Sequence, residues 1–248
     1  MDDRSPRGAA TAAAAPATDA ELQSEVLESL SDARRYRRWL TDLVLPYLGE
    51  HPIEVGSGLG LYAQEWLTRV PKLTATEAHH GRLDRLRERF AAHPHVSVRE
   101  LALPATDQAD HSAAVAINVL EHIPDHVGAL RSMGRLVRPG GAVAILVPAF
   151  PFAMSRFDRS IGHVRRYTRA SLAGALTAAG LAPVEVRYVN PIGLFTWVVA
   201  VRFLHLTPRN GPLVRLFDRF AVPAQRSLER HLTPPFGQSV LGVARTPD

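Results

Sequence analysis

The sequence predicts an α/β fold: a mostly parallel seven-stranded sheet with helices on both faces and a helical cap. Three observations carry this. Short apolar runs alternate with helical stretches, the pattern of β-α-β units with right-handed crossovers. One apolar run, Ile53–Gly56, feeds directly into a glycine turn and then a helix. Two later runs, Val184–Tyr188 and Ser239–Ala244, have the length of strands that close a sheet edge, and nearly fifty residues lie between them. At 248 residues such a domain buries a full core without metal or disulfide staples. The absence of cysteine excludes disulfide scaffolds, thiolate zinc sites and cysteine nucleophiles. With 46% apolar and 21% charged residues, neither a disordered nor a collagen-like chain is in play.

Met1–Ala20 begins with Asp2 and Asp3 and continues as an Ala/Pro/Thr stretch without an apolar h-region, so it reads as a disordered tail and not a signal peptide. A cytoplasmic protein is expected. Residues 21–48 are helical in pattern, with Leu22, Val26, Leu27 and Leu30 spaced by three and four, then Trp39, Leu40, Leu43 and Val44, ending at Pro46 and Gly49. The core spans 49–188. Its expected strands are Ile53–Gly56, Leu73–Glu77, Val96–Glu100, Ala113–Asn118 and Ala142–Val147. Helices are expected to start near Leu61, Gly81, Pro124 and Thr168. Residues 189–237, rich in aromatics and Arg and punctuated by prolines, are too long for a structureless loop and read as a helical insertion forming a cap. The last strand lies in 238–248. The longest apolar run, Ile192–Val201, is interrupted by Gly193 and Thr196 and falls well short of the roughly 20 residues of a spanning helix.

Charge is distributed unevenly. Residues 1–150 carry 16 basic and 19 acidic side chains, whereas residues 151–248 carry 13 and 5, so the net +5 comes from a +8 in the last two-fifths. Lys72 is the only lysine. Such asymmetry marks either an anionic partner or a set of solvated arginines with none.

The sharpest motif is Ile53-Glu54-Val55-Gly56-Ser57-Gly58-Leu59-Gly60. Glycines allow backbone to approach a ligand closely and adopt the turn's dihedrals. The spacing is Gly-x-Gly-x-Gly with Leu61 following, not the Gly-x-Gly-x-x-Gly of dinucleotide folds, and alone it reads equally as a tight structural turn. Glu77 ends the next strand, 17 residues after Gly60, where a carboxylate can accept both hydrogen bonds of a ribose diol or simply face solvent. Ala116-Ile117-Asn118-Val119-Leu120-Glu121-His122-Ile123 is a buried strand ending in polar residues at the carboxyl edge of the sheet, the edge where open α/β sheets bind ligands. Leu136-Val137-Arg138-Pro139-Gly140-Gly141 ends a helix and feeds another strand.

Together these residues resemble the class I S-adenosylmethionine-dependent methyltransferases, in the small-molecule branch that includes the ubiquinone and menaquinone methyltransferases. The resemblance covers about residues 34–188 and the last strand. It implies a Rossmann-like fold and S-adenosyl-L-methionine as cofactor. Glu54, Gly56, Ser57, Gly58 and Gly60 would hold its methionine and ribose portions, Glu77 with Ala78 the ribose, Glu100 with Leu101 the adenine flank, and Asn118 and Val119 the floor beneath the reactive centre. The usual Gly-Asp pair is replaced by Val98-Arg99-Glu100-Leu101-Ala102, which leaves Asp107 as a rival for the adenine. Tyr36 and Trp39 match the branch's upstream aromatics and either fold over the cofactor or serve as core residues.

Methyl transfer from a sulfonium asks the protein mainly to align the nucleophile and exclude water, with a general base for a hydroxyl, acidic carbon or protonated amine. His122, just beyond the fourth strand, is the leading candidate among 11 histidines, with a packing role as the alternative. Gly162-His163-Val164-Arg165-Arg166-Tyr167 resembles a stretch that lies over the active site in this branch; His163 and Tyr167 would activate or orient the acceptor and Arg166 would hold an anionic group, unless all three only pin a loop. Phe150, Phe195 and Trp197 are expected to line an apolar substrate side. No cluster with metal-ligand spacing is apparent, and no metal is expected. Asn-Val-Leu-Glu replaces the Asn-Pro-Pro-Tyr-like text of nucleobase amino methyltransferases, which argues against nucleic acid as partner despite a pI near 10.2. The expected partner is a small-molecule acceptor, acidic or lipid-like, and the Arg-rich insertion would equally suit peripheral contact with a membrane. A non-methylating use of the cofactor (cyclisation, elimination, decarboxylation) and a non-catalytic binding protein are the other functions the sequence admits.

Overall fold

The computed structural model describes residues 33–204 and 211–247. The expected tail and the first half of the N-terminal helical stretch lie outside the described residues. Helix α1 (Arg34–Leu48) runs past Pro46 to Leu48; a proline in the last turn removes a single backbone donor. It is followed by β1 (Ile53–Glu54), a one-turn α2 (Ala63–Trp66), β2 (Leu73–Glu77), α3 (His80–Phe90), β3 (Val96–Glu100), β4 (His111–Ile117), α4 (His126–Arg135) and β5 (Val137–Pro148). Then come α5 (Arg156–Ser160), α6 (Arg169–Ala178), β6 (Ala182–Val189), α7 (Pro191–Thr196), α8 (Pro212–Leu216), α9 (Val222–Glu229) and β7 (Ser239–Arg245).

All seven strands form one sheet in the order β3-β2-β1-β4-β5-β7-β6. The first five are parallel, and β7 inserts antiparallel between β5 and β6. Buried parallel strands read as unbroken apolar runs, and β4 is buried at every position. Strand β5 begins five residues earlier than the sequence suggests, at Val137. The Pro-Gly-Gly turn is absorbed as an irregularity opposite His111–Ala113. Gly140 is left-handed, at φ +69°, and a Cβ on Gly141 would lie 2.2 Å from Val137 and 3.0 Å from the Ser112 carbonyl, so the strand passes this point only without side chains.

Core packs on both sheet faces. One cluster joins Leu130, Met133, Leu172 and Leu176 of α4 and α6 to Ile145 and Val147. The other joins Trp39, Leu40 and Val44 of α1 and Trp66 to Leu73, Val115 and Leu146. Within residues 189–237, α7 continues into a π-helical stretch Trp197–Phe203, and a second stretch, Phe217–Ala221, joins α8 to α9, which ends at Glu229 and leaves 230–237 as turn and loop. Among the described residues no helix is long and apolar enough to cross a membrane.

The helical segment is fastened to the sheet at Asn190. Its backbone is left-handed (φ +68°) and it is fully buried. The side-chain oxygen accepts from Gly193 N at 2.8 Å, capping α7, and Nδ2 donates to Gln238 Oε1 at 2.7 Å beside β7. Its own N–H donates to Glu229 Oε1 of α9 at 2.7 Å. A second fastening links α1: Asp218 accepts from Tyr36 N at 2.8 Å and Arg35 N at 3.2 Å, satisfying donors at the helix start that no residue of α1 could reach. Asn190→Ala removes the cap, orphans Gln238 and puts alanine in a left-handed conformation; a loss of about 2–4 kcal/mol in urea unfolding is expected, and a loss below about 0.5 kcal/mol would contradict the anchoring role.

Candidate functional site

The carboxyl ends of β1, β2 and β4 meet at one edge of the sheet. Gly56, Gly58 and Gly60 are all left-handed, at φ +68°, +58° and +75°. A Cβ on Gly56 would come within 2.7 Å of Val119, and one on Gly60 within 2.7 Å of Phe90, so the turn is held against the fourth-strand motif on one side and α3 on the other. Ser57 ties it to β2: its N–H donates to the Thr76 carbonyl at 2.7 Å, and its hydroxyl accepts from Thr76 N at 3.2 Å.

Two acids lie in this cradle in different states of satisfaction. Glu77, 4% exposed, accepts from Gly58 N at 2.9 Å on one oxygen, and from Ala78 N, His79 N and Arg82 Nη2 at 2.9–3.1 Å on the other. Glu54 is 1% exposed and its Oε2 has no hydrogen-bond partner. Burial pushes its carboxyl up to about 7; the hydrogen bond with Ser57 opposes this and the neighbouring Glu77 reinforces it. A buried carboxylate oxygen with nothing to accept from is costly. Beside a backbone stripped of Cβ atoms, it suits a ligand that brings a cationic donor and needs close backbone approach, as an amino-acid nucleoside does.

The fourth-strand motif supplies the opposite wall. Asn118 is left-handed (φ +54°), and its side chain hydrogen-bonds the Tyr62 hydroxyl. Tyr62 also faces Tyr36, Glu54 and Arg37, and burial raises its pKa. Sequence reasoning passed over Tyr62; its signal is an aromatic placed two residues after the last glycine of the turn. Tyr36 packs on Trp39 and on Phe217 of the helical segment, at 5.9 and 6.4 Å between ring centres. Trp39, 2% exposed, is a core residue. On the adenine flank, Leu101 is buried with its N–H donating to the Glu77 carbonyl at 3.3 Å. Glu100 is exposed 3.8 Å from His80, and Asp107 is exposed 3.6 Å from Arg99.

A second cluster is built around Asp158, which the sequence reading also missed. Ser155 and Asp158 form a reciprocal capping box at the start of α5, a pattern visible in Ser-x-x-Asp spacing. Burial alone would raise the Asp158 carboxyl, yet the hydrogen bond from His163 and the Arg166 guanidinium bring it down to about 2. His163 Nδ1 lies 2.9 Å from Asp158 Oδ1; since a carboxylate only accepts, Nδ1 carries a proton and Nε2 is turned away from Asp158. That Nε2 lies 3.7 Å from Glu121 Oε1. His122 stacks edge-on against His163 at 4.6 Å, and burial, with His163 nearby, lowers its pKa to about 4. At that value it is a neutral ring and a weak base, not the near-neutral base its position suggests.

Three expectations, for Tyr167, Arg166 and Trp197, are corrected by their contacts. Tyr167 is 1% exposed and belongs to the core; its hydroxyl meets His126 Nδ1 at 3.0 Å, so it neither activates nor orients an acceptor. Arg166 is not free for an anion: Nε and Nη2 bind Asp158 at 3.2 and 2.8 Å, Nη1 donates to the Ala149 carbonyl at 3.1 Å, and Trp197 covers its face at 4.7 Å. Trp197 thereby seals the loop, donating through Nε1 to the Ala153 carbonyl at 3.1 Å, and does not line a substrate wall. Phe195, two residues earlier, is 62% exposed and contacts Phe236; neighbours two apart on a helix point in nearly opposite directions. Phe150, at φ +61°, stacks on Tyr188 at 4.7 Å.

With this geometry, comparison with known proteins is informative. A family model described as a methyltransferase domain matches residues 21–186. An uncharacterized methyltransferase of Mycobacterium tuberculosis is 34% identical over 116 residues, 45% of this chain and 57% of that protein, so the chain spans little more than half of its length. A malonyl-[acyl-carrier protein] O-methyltransferase of Pseudescherichia vulneris is 26% identical over 204 residues, covering 76% of this chain and 81% of that one. Among solved structures, a geranyl diphosphate methyltransferase in complex with SAM superposes with a TM-score of 0.60 at 16% identity, over 92% of this chain and 89% of that one, a likeness of fold.

Asp158→Asn keeps the shape of the second cluster and removes its charge, leaving a buried guanidinium unmatched; urea unfolding at neutral pH is expected to show a loss of about 3–5 kcal/mol. Because the folded pKa of Asp158, about 2, is below its ordinary 3.8, its contribution is fully present above pH 4 and fades as pH falls towards 2. The wild type is therefore expected to lose more stability than Asp158→Asn over that interval; equal losses would show that the carboxylate is not the stabilising charge.

Proposed function

Because this chain belongs to the methyltransferase-domain family and has its class I fold, we propose that it transfers a methyl group from S-adenosylmethionine to a small-molecule acceptor. The observation that carries this is the cradle itself: a fully buried Glu54 with an open oxygen beside three left-handed glycines and a second buried acid, Glu77. Glu54 would meet the ammonium of the methionine part, the Gly56–Gly60 backbone would lie against the sugar, Glu77 would take the ribose hydroxyls, and Leu101 would flank the base. When bound, the cofactor supplies an electrophilic methyl on a sulfonium, already joined to a good leaving group.

The chain's own work is then alignment and exclusion of water. Asn118 and Tyr62 brace the wall at the carboxyl end of β4. Asp158 orients the His163 ring so that its Nε2 faces Glu121. The acceptor side is open to an apolar, anionic compound: Phe195, Phe203, Leu204, Leu216 and Phe220 of the helical segment are exposed, and Arg202 and Arg219 lie over Phe203 and Phe220. An oxygen acceptor is supported by the O-methyltransferase among the relatives, and a lipid-like one by the exposed aromatic and cationic face.

Calorimetry with S-adenosylmethionine and with its demethylated product is expected to show one site per chain, abolished by Gly58→Arg, which forces a bulky side chain into a left-handed turn (φ +58°) where backbone must meet ligand. No heat from the wild type, or undiminished binding by the variant, would refute the function. A second test uses Glu54. Its folded pKa of about 7 falls when a cation pairs with it, so binding near pH 7 releases protons, and affinity rises as pH increases from 6 to 7. Calorimetry in buffers of different ionisation enthalpy reads the release directly. Glu54→Gln is expected to remove it; an unchanged release would assign the ammonium to another group.

A further inference from the structure

We infer that Glu121, His122 and His163 form a binding site for one divalent transition-metal ion of the zinc type. Each offers a ligand atom, and these atoms lie within 4.8 Å of one another. Glu121 is completely buried, and neither of its carboxylate oxygens has a hydrogen-bond partner; His122 Nδ1 is buried without one as well. The contact of His163 Nε2 with Glu121, at 3.7 Å, is too long for a hydrogen bond. A carboxyl group and two imidazoles thus converge on one point, and a cation is a partner common to all three.

Two features separate this cluster from an accidental one. First, His163 is oriented from behind: Nδ1 is held by Asp158, itself held by Arg166. This carboxylate-histidine arrangement is what orients metal-ligating imidazoles and makes them more basic. Second, the donor set chooses the ion. Two imidazoles and one carboxylate suit zinc, cobalt, iron or copper and not magnesium or calcium, which favour oxygen. Ligands about 2.0–2.2 Å from an ion sit closer together than the unligated atoms do here, so binding draws the three inward by roughly 1 Å. The sequence shows no metal spacing because the ligands come from two segments 41 residues apart, brought together where Val164 N donates to the Glu121 carbonyl at 3.0 Å.

Three protein ligands leave a tetrahedral position open, the composition of a catalytic site and not a closed structural one. On the reading that this chain methylates oxygen, an acceptor hydroxyl bound at that position would release its proton to solvent water near neutral pH, and its oxygen would then take the methyl group from the sulfonium.

The test uses the full chain, stripped with chelator and titrated with Zn2+, Co2+ and Mg2+. One equivalent of Zn2+ or Co2+ is expected to bind, Co2+ with the intense visible absorption of a low-coordinate site, and Mg2+ is expected not to compete. Glu121→Gln, which preserves shape, and His163→Ala are each expected to weaken binding by more than about tenfold, the size that even an outer-shell change produces. In the wild type loaded with Cu2+, pulsed electron paramagnetic resonance should detect two imidazole nitrogens, a readout that needs no variant. Absence of stoichiometric binding, wild-type affinity in both variants, effective competition by Mg2+, or fewer than two coupled nitrogens would overturn the site. None of these measurements depends on methyl transfer. A chain that takes the metal but not S-adenosylmethionine would refute the function and leave the site standing, and the opposite pattern would do the reverse.

Discussion

The architecture depends on one topological constraint, the reversal of strand order between β1 and β4. The two are hydrogen-bonded parallel neighbours, yet the chain leaving β1 proceeds to β2 on one side while the chain leaving β4 proceeds to β5 on the other. Connections that depart in opposite directions cannot cover the shared carboxyl edge, and a crevice remains there. Four left-handed residues lie around it: the three glycines after β1 and Asn118 after β4. Val119 then fills the space that a side chain on Gly56 would need, so the two turns fit each other only in this pairing.

Around that crevice the buried acids divide into two kinds. Glu77 and Asp158 are surrounded by donors supplied by the protein itself, three backbone amides and Arg82 for the first, His163, Arg166 and Ser155 for the second. Glu54 and Glu121 are equally buried and end in unpartnered oxygens. Desolvating a carboxylate without compensation is among the largest local costs in a fold. The positive charge of the last two-fifths divides similarly: Arg166 neutralises Asp158, Arg187 meets Glu185 and Glu229, and Arg226 reaches Asp42. Of these pairs only Arg226–Asp42 reaches an acid outside the last two-fifths, so the excess of positive charge persists and is shared evenly between residues 151–188 and the helical segment.

The central strands were legible because a strand buried on both faces leaves a largely apolar run between turn residues; β2 agrees with the sequence to the residue, and so does the more exposed edge strand β3, where Val96 and Val98 alternate with polar residues. The start of β5 was not, since Pro-Gly-Gly signals a break and only the pairing with β4 shows that the strand runs through it. Within the site, Gly56, Gly58, Gly60, Glu54 and Glu77 could be found because they lie in one motif or at a strand tip. The stretch from His163 to Tyr167 could not be apportioned, because its members face different ways: His163 towards Glu121, Arg166 under Trp197, and Tyr167 into the core through a bridge with Ala149. Aromatic content likewise marked Phe195 and Trp197 without telling that one faces solvent and the other a buried guanidinium.

Strand β7 occupies a place in the sheet that bears on how the protein is made. It lies between β5 and β6, yet both of those precede it in the chain. While residues up to about 238 are being synthesised, β5 presents an open antiparallel edge and β6 has no partner, although the helices that will flank them are complete. Folding on the ribosome can assemble β3 to β5 as an open sheet, but the other two strands can join it only after Ser239–Arg245 has cleared the exit tunnel. Until then a long, apolar strand edge is exposed to other chains, and this interval is the protein's period of greatest exposure to aggregation and greatest demand for a chaperone.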